Sequence, residues 1–139
     1  MTRIAIFPGS FDPVTLGHIA IGKNSQKQGY FTLEQRINWL QEIFLNESKI
    51  EIDSYEGLTT EYCKQKNAQY ILRGLRSVTD YEYEKVIALA NRGLNQEIET
   101  VFFLSKPEFG HVSSTIVKEI LRHGGDISNM VPLVVSRGA

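Results

Sequence analysis

Apolar and polar positions along the chain follow two rhythms. Arg3 to Phe7 is a short apolar run stopped by Pro8-Gly9, the pattern of a buried strand entering a turn. Lys49 to Asp53 alternates at period two, and Tyr70 to Leu72 and Thr100 to Leu104 are apolar runs of strand length. Between these runs the spacing turns helical. Thr32 to Leu45 carries Leu33, Ile37, Leu40, Ile43 and Phe44 on one stripe and opens with Thr32-Leu33-Glu34-Gln35, a capping-box arrangement. Leu58 to Lys66 repeats the pattern more weakly. Thr79 to Arg92 predicts a third helix, with Thr79 and Glu82 as its capping pair and Gly93 just past its end. Ser113 to His123 predicts a fourth, closed by Gly124-Gly125. The tail from Ile127 to Ala139 is apolar enough to pack, but Pro132 limits any long helix there.

Strands alternating with helices predict an α/β fold, a doubly wound parallel sheet covered on both faces. No repeat, low-complexity tract or linker divides residues 1–139, so a single domain is expected. One place breaks the alternation. Ile19-Ala20-Ile21 begins like a helix, and Gly22 to Gly29 then reads as a polar loop. A parallel crossover needs a dozen or so residues, usually including a helix. The chain therefore reads as short of one helix and one strand between Ile21 and Gly22.

Composition narrows the class. The 139 residues suffice for one domain with one sizeable core. Lys and Arg total 15 against 16 Asp and Glu, a net charge of −1, which is not the electrostatic footprint of a nucleic-acid binder. Any basic residue that matters must be placed singly at a site. The single cysteine, Cys63, has no partner for an internal disulfide, which fits a reducing compartment, and it reads as a small buried apolar residue. No stretch approaches the ~20 apolar residues of a membrane span. The start, Met1-Thr2-Arg3-Ile4, has no signal-peptide layout. The expectation is a cytoplasmic protein with neither membrane nor nucleic acid as partner.

The chemistry gathers after predicted strands. Gly9-Ser10-Phe11-Asp12-Pro13-Val14-Thr15-Leu16-Gly17-His18 directly follows the first strand, at the carboxyl edge where such sheets bind ligands. Gly9 allows close backbone approach, Ser10 offers a hydroxyl and an N–H, and the amides of a helix opening at Gly17-His18 favour phosphate oxygens. His18 can donate to a phosphate whose charge grows in the transition state. By itself this spacing equally fits a plain strand–turn–helix connection. Arg73-Gly74-Leu75-Arg76 follows the apolar run at Tyr70, and its two guanidinium forks can meet phosphates or simply be solvated. Ser113-Ser114-Thr115 opens a helix, where hydroxyls cap and free amides bind anions. Asp80, Glu82 and Glu84 have no metal-ligand spacing, and no protein metal site is predicted.

Taken together these blocks carry a resemblance. Thr15-x-Gly17-His18 resembles the T/H-x-G-H motif of the nucleotidylyltransferase superfamily, related to the HIGH motif of class I aminoacyl-tRNA synthetases. The longer string from Pro8 to His18 is similar to that of the bacterial phosphopantetheine adenylyltransferases. Arg73 to Arg76 with Asp80-Tyr81-Glu82-Tyr83-Glu84 resembles their RGLR…DFEYE block, and Val112 to Glu119 resembles their ISSS-x-V-K/R-E block. The resemblance implies a Rossmann-like nucleotidylyltransferase fold of the adenine nucleotide α-hydrolase-like type. It implies transfer of the adenylyl group of ATP to 4′-phosphopantetheine, giving dephospho-CoA and pyrophosphate. His18, Lys27 and Arg76 are the implied catalytic donors, with Lys23 a competitor for the role of Lys27. Ser10, Lys27, Thr59 and Arg73 would bind phosphopantetheine. Ser10, Phe11, His18, Gly74, Leu75, Arg76, Glu84 and the block Phe109, Gly110, His111, Val112, Ser113, Ser114, Thr115 would contact ATP. Mg²⁺ would ride on the ATP phosphates. A homohexamer with feedback inhibition by coenzyme A is likewise implied.

The residues fit that reaction physically. A phosphate monoester has a second pKa of about 6, so the nucleophile is already largely ionised and no general base is needed. Catalysis then reduces to aligning two polyanions and stabilising charge, without a covalent intermediate. Two other readings stay open: the same fold with a different acceptor, such as nicotinamide mononucleotide, or cytidylyl transfer, and a nucleotide-binding module without catalysis. The family pattern also carries roughly fifteen more residues between Ile21 and Gly22, the rest of a crossover helix and a strand. Either a true deletion closes the chain there, or Ile21 and Gly22 are not covalent neighbours. The second is expected, because a sheet that loses an inner strand should fold poorly.

Overall fold

The structure, a computed structural model, describes residues 3–11, 13, 15, 22–24 and 30–139. Strands β1 (Ala5–Pro8), β2 (Gly22–Asn24), β3 (Asp53–Ser54), β4 (Tyr70–Leu75) and β5 (Glu99–Leu104) form one sheet in the order β3-β2-β1-β4-β5. Every pairing is parallel. The chain winds outward from β1 to β3, then returns to β4 on the other side of β1. This reversal between β1 and β4 is the switch point at which open α/β sheets bind ligands.

The helices are α1 (Leu33–Ile43), α2 (Thr59–Gln65), α3 (Val78–Leu94), α4 (Ser114–Arg122) and α5 (Leu133–Gly138), with a 3-10 turn at Pro107–Phe109. Alternation along β1 divides the core between the two faces. Phe7 packs against a cluster of Phe11, Trp39, Leu40, Val117, Val131 and Val135, which joins α1, α4 and α5. Ile6 belongs to a second cluster with Tyr62, Cys63, Ala68, Ile71 and Ile98, built around α2. Cys63 is fully buried there, as its apolar reading requires. Among the described residues no helix is long and apolar enough to cross a membrane.

Several boundaries follow their expected local chemistry. Thr32 closes a reciprocal capping box with Gln35 at the start of α1. Ser113 caps α4 by accepting from the Ile116 N–H, and Gly124 turns the chain away at φ 72°. Pro132 stands at the head of α5 and confines it to Leu133–Gly138.

Other expectations are corrected. The cap of α3 is Ser77, which accepts from the Asp80 N–H, not Thr79. The helix runs through Gly93 to Leu94. Only Asp53 and Ser54, at the far end of the alternating run from Lys49, pair as β3. Gly22–Asn24, read from its polarity as loop, is the inner strand β2: Phe7 and Pro8 of β1 pair with Gly22 and Lys23, and Lys23 and Asn24 pair with Asp53 and Ser54.

Candidate active site

Two clefts open at the carboxyl ends of β1 and β4 and share Pro8, Gly9, Ser10, Arg73 and Glu84. The first, of about 550 Å³, continues between α2 and α3 along Tyr55, Thr59, Ile87 and Ala88. The second, of about 420 Å³, continues toward Gly74, Arg76, Asp80 and the start of α4 at Ser113, Ser114 and Thr115. The two clefts therefore adjoin at the end of β1, where Gly9 and Ser10 line both together with Arg73 and Glu84.

Arg73 holds the junction. Its Nε and Nη2 donate to the two carboxylate oxygens of Glu84 at 2.8 and 2.6 Å, a fork-to-fork pair, and its Nη1 donates to the Pro8 carbonyl at 2.7 Å. Glu84 is the one buried residue of α3. The pair thus ties the ends of β1 and β4 to the middle of that helix. Burying a carboxylate is costly without a partner, and the guanidinium supplies one.

Arg76 is set by the next turn. Asp80 Oδ2 accepts from the Arg76 N–H at 2.9 Å and lies 3.4 Å from its Nε, while Nη1 donates to the Val112 carbonyl at 3.3 Å. Arg76 so bridges the start of α3 to the start of α4. Ser114 Oγ donates to the Pro13 carbonyl at 2.8 Å, tying α4 back to the loop after β1. In the first cleft, Thr59 Oγ1 and the Tyr55 hydroxyl share a hydrogen bond of 2.6 Å, and the Tyr55 ring stacks on Tyr62 at 4.5 Å. Burial pushes the Tyr55 hydroxyl above its usual range, partly offset by the Thr59 bond.

The loop itself is tightly folded. Phe11 adopts φ 44°, in the left-handed region that costs a non-glycine residue energy, and its ring is buried. The ring folds back over Gly9: a Cβ placed there would come within 3.0 Å of the Phe11 ring. Gly9 is therefore required by its neighbour's packing as much as by any ligand.

Of the residues singled out from the sequence, the structure brings together Ser10, Phe11, Thr59, Arg73, Gly74, Arg76, Glu84, Val112, Ser113, Ser114 and Thr115 around the two clefts. Leu75 is not brought to them; it points into the core and is buried. Phe109, Gly110 and His111 precede the lining part of their block and are not lining residues of either cleft. His18, Lys27 and most of the string between Phe11 and His18 lie outside the described residues. Tyr55 and Arg36 are among the residues that went unread in the sequence. Tyr55 walls the first cleft, and Arg36 of α1 reaches the Ser10 carbonyl from behind the loop. The signal for Arg36 was present: it sits three residues after Leu33 and four before Leu40, on the apolar stripe, where a charge is out of place.

A parallel sheet with clefts at its switch point and two arginines at and just after the end of β4 is the architecture of the nucleotide-handling α/β proteins. The family profile described as cytidylyltransferase-like matches residues 19–120. Phosphopantetheine adenylyltransferases are similar over nearly the whole chain. The one from Leptospira biflexa is 48% identical over 150 residues, covering 97% of this chain and 94% of its own. That from Christiangramia forsetii is 44% identical, with 96% and 97% covered. That from Carboxydothermus hydrogenoformans is 45% identical, with 94% and 90% covered. A solved structure from Vibrio parahaemolyticus, described as a nicotinate-nucleotide adenylyltransferase, shares the fold at a TM-score of 0.61 and 19% identity, over 99% of this chain and 97% of that one. The chain belongs to the cytidylyltransferase-like family and, within it, to the phosphopantetheine adenylyltransferases. The alignment to the Leptospira protein is longer than the 139 residues here, so that relative carries residues with no counterpart in this chain.

Proposed function

We propose that this protein transfers the adenylyl group of ATP to 4′-phosphopantetheine, releasing pyrophosphate and forming dephospho-CoA. The observation that carries the proposal is the pair of clefts meeting on Gly9, Ser10 and Arg73. A direct two-substrate transfer needs two sites that adjoin, so that the attacking phosphate and the α-phosphate of ATP can be aligned where they meet. The cleft along Tyr55, Thr59, Ile87 and Ala88 suits the long, partly apolar pantetheine arm. The cleft reaching Arg76 and the start of α4 suits ATP, with helix amides and hydroxyls facing triphosphate oxygens. Arg73, at the junction, takes the acceptor phosphate.

The acceptor phosphate attacks directly, since it is ionised without help. His18 and Lys27 donate to the charge that builds on the α-phosphate, together with Arg76. Asp80 and Glu84 are each tied to an arginine, which fits Mg²⁺ carried on the ATP phosphates and not caged by the protein. The protein works in the cytoplasm as a homohexamer, and coenzyme A inhibits it by occupying the same clefts. Support for assembly comes from α3 and β5. Tyr83, Val86, Leu89 and Leu94 are each at least 60% exposed, and Phe103 and Leu104 stand bare on the edge strand.

An acceptor screen tests the reading. ATP is offered with 4′-phosphopantetheine, with nicotinamide mononucleotide and alone, and pyrophosphate is measured. Release with phosphopantetheine only is the expected result. Release with the nucleotide acceptor instead, or ATP binding with no release at all, overturns it.

A further inference from the structure

We propose that Arg36 is a positioning residue, holding the peptide between Ser10 and Phe11 in the orientation that keeps the loop after β1 receptive to phosphate. The proposal rests on the reading of that loop as the site of phosphoryl chemistry.

Arg36 is 3% exposed, on the inward stripe of α1. Its Nη1 donates to the Ser10 carbonyl at 3.0 Å and its Nε to the Thr32 carbonyl at 3.3 Å. Among the described residues no carboxylate pairs with it. A guanidinium buried against carbonyls alone is an expensive choice for stability, and an apolar side chain of similar length would fill the space at less cost. The Thr32 carbonyl already accepts the Arg36 N–H at 3.1 Å, so the bond unique to the side chain is the one to Ser10.

That bond fixes more than one oxygen. The Ser10 C=O and the Phe11 N–H belong to one planar trans peptide and point in opposite directions. Ser10 and Phe11 line the second cleft, whereas Arg36 lines neither cleft and stands behind them. Drawing the carbonyl back toward α1 therefore turns the amide toward the cleft side. The same rotation is recorded as the φ of Phe11, 44°, an unfavourable value for a residue with a side chain. Relaxing it would swing the peptide plane and carry the Ser10 oxygen toward the cleft, where its partial negative charge opposes phosphate. Gly9 and the buried Phe11 ring leave room for the strained form, and Arg36 is the group that grips the peptide itself.

The test uses the full chain with Arg36→Met and Arg36→Lys, measuring kcat, KM for both substrates, ATP affinity by calorimetry and the melting temperature. Arg36→Met is expected to lower kcat/KM for ATP about 100-fold, the scale of a small misplacement at a reacting centre, with a melting temperature equal to or above that of the wild type. Arg36→Lys, which can reach one carbonyl, should recover part of the loss. Unchanged kcat/KM in folded Arg36→Met overturns the proposal. If Arg36→Met does not fold, Arg36→Lys decides: reduced kcat/KM at the wild-type melting temperature supports the proposal, and wild-type kinetics or a second unfolded variant overturns it. If the wild type adenylylates no acceptor, the functional reading fails separately, and ATP affinity alone decides this one: weaker in Arg36→Met supports it, equal overturns it.

Discussion

Arg36 and Arg73 grip the same turn from two sides and are balanced in opposite ways. Arg73 takes the Pro8 carbonyl, and its charge is matched by both oxygens of Glu84. Arg36 takes the Ser10 carbonyl two residues on, and no described carboxylate matches its charge. Arg73 is 29% exposed at its side chain and faces both clefts, while Arg36 is sealed behind the loop. One residue type thus does two jobs on one turn. Paired and cleft-facing, Arg73 braces the scaffold and is the proposed phosphate ligand. Hidden, and with no carboxylate partner among the described residues, Arg36 is the proposed shaper of the site from behind.

The largest effect should come from neither arginine. His18→Ala is expected to keep the fold and cut turnover by about two to three orders of magnitude, the scale of a lost transition-state donor. Steady-state kinetics checks this, and near-normal turnover would remove His18 from the mechanism and leave the arginines to carry the charge. Next comes the brace. Glu84→Ala leaves Arg73 half-enclosed without its counter-charge and should cost about 3 kcal/mol in a denaturant melt. A loss below about 1 kcal/mol would make Arg73 resemble Arg36 and dissolve the contrast.

Arg73→Ala should then raise KM for phosphopantetheine by about tenfold or more, the worth of a charge-assisted hydrogen bond, with a smaller change for ATP. A change in ATP affinity alone would reassign Arg73 to the other cleft. The effect smallest at neutral pH, felt only in alkali, lies away from the loop, on the opposite face of the sheet. Burial pushes the Cys63 thiol up from 9.0 to about 11. The unfolded chain therefore ionises first as pH rises. The stability held by the neutral thiol is complete below 9.0 and lost as pH climbs toward about 11. Urea midpoints should fall over that window in the wild type and fall less in Cys63→Ala; equal slopes would show that α2 does not keep this core dry.

Much of this architecture was legible in the sequence because local chemistry and tertiary need agree. Thr32 and Gln35 announce α1, Ser113 and Gly124 bracket α4, and the apolar run at Tyr70 leads straight to Arg73 and Arg76. The second strand was not legible. Gly22-Lys23-Asn24 has no apolar residue, and its strand state comes from neighbours on both sides. The cap of α3 was misplaced because Ser77 and Thr79 are both suitable hydroxyls and the sequence does not rank them. Arg36 went unread because its partner, the Ser10 carbonyl, lies 26 residues away in sequence. The division into two clefts was invisible for the same reason: Tyr55 and Ser10 share a wall only after the sheet has formed. Resemblance also carried Leu75 and Phe109 to His111 into the site as a block, which the cleft walls do not follow.

Both substrates are proposed to sit at once in the two clefts that adjoin at Gly9 and Ser10, and to react directly. Initial rates measured while ATP and 4′-phosphopantetheine are varied against each other test it. Double-reciprocal lines that intersect, with no exchange of pyrophosphate into ATP when the acceptor is withheld, are the predicted result. Parallel lines with acceptor-independent exchange would mean an adenylylated protein intermediate and would contradict the account.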